Sequence, residues 1–199
     1  MWAKLNEWIT WVALGRIRDS FLGKAITAIS LAALVLGNVG KALTDAGLDP
    51  LSAKLTFAGS ATFLLGYLSF SVFVPSEFRK GGDIDEIVGR LQGLSDFEFF
   101  KSRRAMAATL LSNLRMWSVF GLPEGARLFL QIKLEETAAT TVRDWEAKAA
   151  ALYHADLNLR AYTRPIARIW VAVAFGVGIA LLAAPTVFNV YKVVSPTAA

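Results

Sequence analysis

The stretch LTFAGSATFLLGYLSFSVFVPS, Leu55–Ser76, holds 22 residues without a charge. At a rise of ~1.5 Å per residue it reaches ~30 Å, the thickness of a bilayer's hydrocarbon core. A second stretch does the same: Ile169–Tyr191, IWVAVAFGVGIALLAAPTVFNVY, has 23 uncharged residues. Two such stretches in 199 residues predict an all-α, polytopic membrane protein rather than a soluble domain. Composition agrees, with 55% hydrophobic and 19% charged residues, where soluble domains average ~45–50% and ~25%.

Upstream, Ala25–Gly40 is uncharged but shorter, at 16 residues between Lys24 and Lys41. Lysines at helix ends snorkel to the headgroups, so Phe21–Leu43 is expected to be a further span, making three. A buried core helix is the alternative for the same pattern. The short turn Thr44–Pro50 would close residues 21–76 into a transmembrane hairpin, and residues 165–191 would form the last span before a short tail, 192–199. Residues 1–20 carry five charges and end in no small-residue cleavage site, unlike a signal peptide. Trp2, Leu5, Ile9 and Val12 fall at helical spacing with Trp8 and Trp11 beside them. Trp favours the headgroup zone, so 1–20 is expected to be an amphipathic helix on the membrane surface. The first turns of one long helix entering the bilayer fit equally. Trp2, Trp8, Trp11, Lys24, Lys41 and Arg168 are the expected interface anchors.

Positive charge sets orientation. Of the 21 Lys and Arg, residues 1–24 hold four, the first turn two, residues 77–168 fourteen and the tail one. This predicts a cytoplasmic N-terminus and an outside C-terminus. The setting expected for the chain as a whole is a bacterial inner membrane. The net charge of +5 then faces anionic lipid, and no nucleic-acid partner is expected.

Residues 77–164 are expected to form a cytoplasmic helical domain. After the linker Arg79-Lys80-Gly81-Gly82, Asp83 caps a helix with Ile84, Ile87, Val88, Leu91 and Leu94 at 3.6 spacing. Ser95-Asp96-Phe97-Glu98 has the capping-box pattern, with Ser at the cap. It opens a helix whose inner face is Phe97, Phe100, Ala107, Leu110, Leu111, Leu114 and Trp117. Gly121 stops it, and Pro123 opens a third helix drawn as continuous to Arg164. Its Leu128–Leu134 part is apolar enough to touch membrane or the second helix. Val142, Trp145, Ala149, Leu152 and Leu159 continue as a stripe with Asp156 in an inner slot, a pattern that packing against the first two helices explains. Glu86/Arg90, Asp144/Lys148 and Asp156/Arg160 are i,i+4 pairs expected on solvated faces.

Chemistry-bearing patterns are scarce, and no enzyme activity, cofactor or metal is expected. The sole histidine, His154, has Ala, Ala, Leu and Asn at positions 150, 151, 157 and 158, no metal-ligand partner among them. There is no nucleophile elbow and no phosphate loop. Asp83, Asp85 and Glu86 suit the first turn of a helix as dipole complements. The spans carry no ionisable group at mid-membrane, as a pump would need; their polar residues are mostly hydroxyls able to bond their own backbone.

Small residues carry the remaining information. Ala172, Gly176, Ala180 and Ala184 recur every four residues on the last span, Ala58, Thr62 and Gly66 on the second, and Ala33 with Gly37 on the first. Such stripes let helices approach closely in lipid, where van der Waals contact drives association. They serve packing within the chain or an interface with a second copy or partner subunit. A two-span hairpin followed by cytosolic helices resembles, in layout, the small membrane effectors of bacterial anti-phage systems with the two-span SLATT arrangement. The resemblance covers residues 1–120, carries no specific motif, and ends at the third span. It implies a self-associating protein that forms or gates a pore on a cytoplasmic signal. An accessory subunit of a larger membrane complex and a membrane-shaping scaffold are the alternatives.

Overall fold

The computed structural model describes residues 8–36, 50–113 and 124–194, and among them every regular element is helical. Trp2, Gly37, Lys41, Leu114, Trp117 and the turn Thr44–Asp49 lie outside the described residues. In chain order the helices are α1 (Trp11–Asp19), α2 (Phe21–Leu36), α3 (Pro50–Phe73), α4 (Ile84–Leu94), α5 (Phe97–Asn113), α6 (Glu124–Glu136), α7 (Trp145–Ala161) and α8 (Pro165–Val194), with a 3₁₀ turn at Ser76–Phe78. They divide into two compact units.

One unit comprises Ile17–Phe73 and Ile166–Ala199. Two of its helices are long and apolar enough to cross a membrane, over Leu51–Phe73 and Pro165–Phe188. The described part of α2 has 16 residues, ~24 Å long. Helix α3 packs on α2, and the Ser30 hydroxyl donates to the Ser60 carbonyl at 2.9 Å. Helices α3 and α8 run antiparallel: Trp170 Nε1 donates to Ser69 Oγ at 3.1 Å, Phe175 stacks on Phe63 at 4.8 Å, and Gly178 meets Gly59. The Thr62 and Ser71 hydroxyls donate to Ala58 and Tyr67 carbonyls on their own helix, so they add no polar surface.

The other unit comprises Met1–Arg16 and Val74–Pro165. Helix α7 lies at its centre, packed against α4, α5 and α6, which is why Ala149, Leu152, Tyr153, Leu157 and Leu159 are buried all round it. The inner face of α5 is Phe100, Arg103 and Ala107, with Phe97, Leu110 and Leu111 half-buried.

Three local expectations are corrected. The helix drawn from Pro123 to Arg164 is two helices, parted at residues 137–144. Thr137, Thr140 and Thr141 offer hydroxyls that compete with helical backbone bonds. Thr137 Oγ1 donates to the Lys133 carbonyl at 2.7 Å, and Asp144 Oδ1 accepts from the Thr141 amide and hydroxyl at 2.6 and 2.7 Å. The cap of α5 is Asp96, whose Oδ1 accepts from the Phe99 amide at 2.7 Å, while Ser95 closes α4 by donating to the Gln92 carbonyl. Arg90 reaches the Gly81 carbonyl rather than Glu86.

Candidate functional site

The small residues of α3 and α8 separate into two groups. At the crossing, a Cβ built on Gly178 would stand 2.8 Å from the Phe63 amide nitrogen and 3.0 Å from the Gly59 carbonyl. One built on Gly59 would stand 2.9 Å from the Gly178 carbonyl. Only glycine allows that approach, so the internal contact is built on Gly59, Gly66 and Gly178, with Phe63 and Phe175 between them. Of the expected α3 stripe, Gly66 is buried against Phe175 and Ala174, Thr62 is half-buried and Ala58 is exposed. The α8 stripe lies off the crossing: Gly176 and Ala180 are exposed, Ala172 and Ala184 half-buried, and no atom lies within 4 Å of a Cβ on Gly176. Ala33 belongs to α2, its side chain outside the described residues.

The anchors divide as well. Trp8 and Lys24 are exposed. Trp11, expected at the headgroups, is instead enclosed: it is fully buried and its indole N–H donates to the Thr163 carbonyl at 2.9 Å. With ring and donor both satisfied inside the protein, nothing is left for lipid. Arg168, also expected at the surface, is 1% exposed. Its stem and guanidinium are covered by protein.

Of the second assembly, only the Asp156/Arg160 pair is legible in the sequence. Arg103 Nη1 donates to Glu77 Oε1 at 2.9 Å and to Asp156 Oδ2 at 3.0 Å, and Arg160 Nε donates to both Asp156 oxygens at 2.8 Å. Arg160 Nη1 lies 3.4 Å from Glu77 Oε1. Asp156 and Arg103 are buried, so the Asp156/Arg160 pair expected on a solvated face is part of a closed cluster of two cations and two anions. Burial pushes the Asp156 carboxyl above its usual 3.8, against the pull of Arg160 and Arg103. Burial also pushes Glu77 up, but a backbone hydrogen bond, Arg160 and Arg103 outweigh it and hold the carboxyl below 4.5. Two carboxyls of one cluster are thereby driven apart. The signal was present: Arg103 interrupts an apolar stripe at i+3 from Phe100, and Asp156 sits in an inner slot of the facing helix. Glu77 carried none.

Glu77 belongs to the linker from α3 to α4, and other arginines hold the same linker. Arg90 Nη2 donates to the Gly81 carbonyl at 3.0 Å, and Arg16 Nε and Nη2 both donate to Asp83 Oδ1, the former at 3.0 Å. Gly81 and Gly82 have φ of 71° and 97°, a region open to glycine at little cost. Nearby, His154 Nε2 lies 3.5 Å from Asp85 Oδ1. Among the described residues no three His, Asp or Glu side chains are grouped to hold a metal. A shallow cleft of about 320 Å³ is lined by Gln92, Ser95, Trp145, Glu146 and Ala149. Compared with known proteins, the chain matches no family model, no curated protein and no solved structure.

Proposed function

We propose that this is a non-enzymatic integral membrane protein that self-associates and forms or gates a pore, its cytoplasmic helical unit receiving a signal or partner. In this reading the N-terminus and residues 77–164 face the cytoplasm, α2 belongs to a third span, and the C-terminus lies outside. The bilayer, with its anionic inner face, and further copies of the chain are the partners.

The observation that carries the reading is the outward surface of α3 and α8. Only 33% and 28% of their most apolar windows are buried. A core helix of a soluble protein would be covered; Leu65, Leu68, Val72, Val173 and Val177 are exposed, a surface that lipid tolerates and water does not. Within it, the face bearing Ala172, Gly176, Ala180 and Ala184 is not used by the internal crossing. Three helices enclose no channel by themselves, so conduction requires copies, and close helix approach in lipid requires small residues.

The test is ion flux from liposomes holding the full chain. Gly176→Leu adds bulk where this chain has open space, so the subunit should insert normally while flux falls. Val177→Leu, on an exposed neighbour, should leave flux near wild type. Equal flux in all three proteins would remove the interface from the mechanism. A stoichiometric membrane partner that co-purifies with a flux-free chain would favour the accessory-subunit alternative.

A further inference from the structure

The shallow cleft of about 320 Å³ lies between the end of α4 and the start of α7, lined by Gln92, Ser95, Trp145, Glu146 and Ala149. Both helices belong to one compact unit and pack on one another. The lining is chemically one-sided. It holds one carboxylate, Glu146, and no cationic side chain. Lys148 of the same helix is held by Asp144 at 3.0 Å. Trp145 is half-buried and packs on Phe100, their ring centres 6.1 Å apart. An indole held in place by the core therefore forms part of the cleft wall.

A second observation marks the same place. Positions 145, 149 and 153 recur every four residues on α7 and share one face. Tyr153 is 1% exposed, yet its hydroxyl is buried without a hydrogen-bond partner. Its polar neighbours are Asp96 and Ser95, the latter a residue of the cleft lining. A buried hydroxyl left unpaired lowers stability, so a group of this kind needs an explanation. Core packing explains Trp145, and a helix N-terminus favours a carboxylate such as Glu146. Neither explains the Tyr153 hydroxyl.

The lining selects among ligands. An anion would be repelled by Glu146, and a wholly apolar molecule would leave Gln92, Ser95 and Glu146 unused. An organic cation gains from the indole face and from the carboxylate beside it. The volume sits at the lower end of ligand pockets, ~300–1,000 Å³, and suits a molecule of a few carbons. We propose that this cleft binds a small organic ammonium ion bearing a hydroxyl, an amino alcohol, its cationic head on Trp145 and Glu146 and its hydroxyl toward Ser95 and Tyr153. That the bound cation is a signal rests on the proposed pore; that it binds does not.

Full-length protein in a sugar-headgroup detergent is titrated with choline, ethanolamine and the uncharged choline isostere that has carbon in place of nitrogen. Ligand-observed NMR follows binding. Choline and ethanolamine should bind with Kd on the order of 1 mM, and the isostere about tenfold more weakly. Glu146→Gln and Trp145→Leu should each weaken choline about fivefold, the leucine keeping apolar contact with Phe100. Glu98→Gln removes an exposed carboxylate that pairs with Lys101 outside the cleft, and should leave Kd unchanged. Tyr153→Phe should weaken choline while the free chain stays at least as stable as wild type, since the hydroxyl has no partner to lose. Equal binding of choline and its isostere overturns the proposal, as does unchanged choline binding in both Glu146→Gln and Trp145→Leu. A lysine-containing peptide that binds where neither amine does overturns it in favour of a protein partner. Choline binding by a chain that supports no ion flux upholds the site and sinks the pore.

Discussion

Asp156 shows how one residue can be read correctly in pattern and wrongly in role. Its slot in the apolar stripe places it on an inner face, yet the i,i+4 spacing to Arg160 suggests a solvated pair. What decides between them is a third charge 53 positions away, Arg103, which no local spacing reveals. Truncating Asp156 to Ala leaves two arginines facing Glu77 alone, and should cost roughly 3–5 kcal/mol in chemical unfolding of the detergent-solubilised chain. Loss below ~1 kcal/mol would mean the cluster is hydrated. The two carboxyls also give opposite pH terms. Glu77 is held below its ordinary value of 4.5, so its stabilisation is complete above that pH and is lost as pH falls through the folded value. Asp156 is raised above 3.8, so its term is present below 3.8 and is lost as pH rises through its folded value. Glu77→Gln should therefore flatten the loss of stability on acidification below pH 4.5. Parallel acid curves for variant and wild type would assign that loss to other groups. Trp11 makes the same point about polar handles: its place beside the stripe of Trp2, Leu5, Ile9 and Val12 suggests a headgroup anchor, but a carbonyl at Thr163 satisfies this one indoors.

At the scale of the element, helix existence was legible and helix ends were not. The apolar runs set α3 and α8, the two helices long and apolar enough to cross a membrane. The α6–α7 break was hidden because it contains neither Gly nor Pro; three threonines and Asp144 do the work through side-chain bonds to backbone. That Asp144 carboxyl is held at about 2, by the Thr141 hydroxyl first, then Lys148 and the Thr141 amide, so the turn should keep its cap throughout the ordinary acid range. The small-residue stripes were legible as a class but not in register. Spacing of four picks out 172, 176, 180 and 184, whereas the crossing falls on 174, 175 and 178, because Phe63 and Phe175 interlock around glycines. Two substitutions separate these faces. Gly178→Ala should destabilise the chain by roughly 1–3 kcal/mol by overpacking in thermal unfolding, whereas Gly176→Ala should be neutral within ~0.5 kcal/mol. Equal effects would mean that α3 and α8 cross elsewhere.

At the scale of the whole molecule, the chain divides into two compact units, and the sequence makes an uneven distribution of charge legible, with fourteen of 21 basic residues between 77 and 168. The part played by residues before Ile17 was not visible, since Arg16 and Trp11 join the helical unit through partners at 83 and 163. Charge bias also gives orientation. A reporter fused near Arg143 should be cytoplasmic and one at Ala199 external; both on one side would remove a crossing. The most direct measurement of the central claim, self-association in the membrane, is native mass in detergent. The wild-type chain should fly as a multiple of 21.6 kDa and Gly176→Leu as the single subunit, with Val177→Leu unchanged. A wild-type chain that is monomeric at all concentrations, or a Gly176→Leu chain with the wild-type multiple, would contradict it.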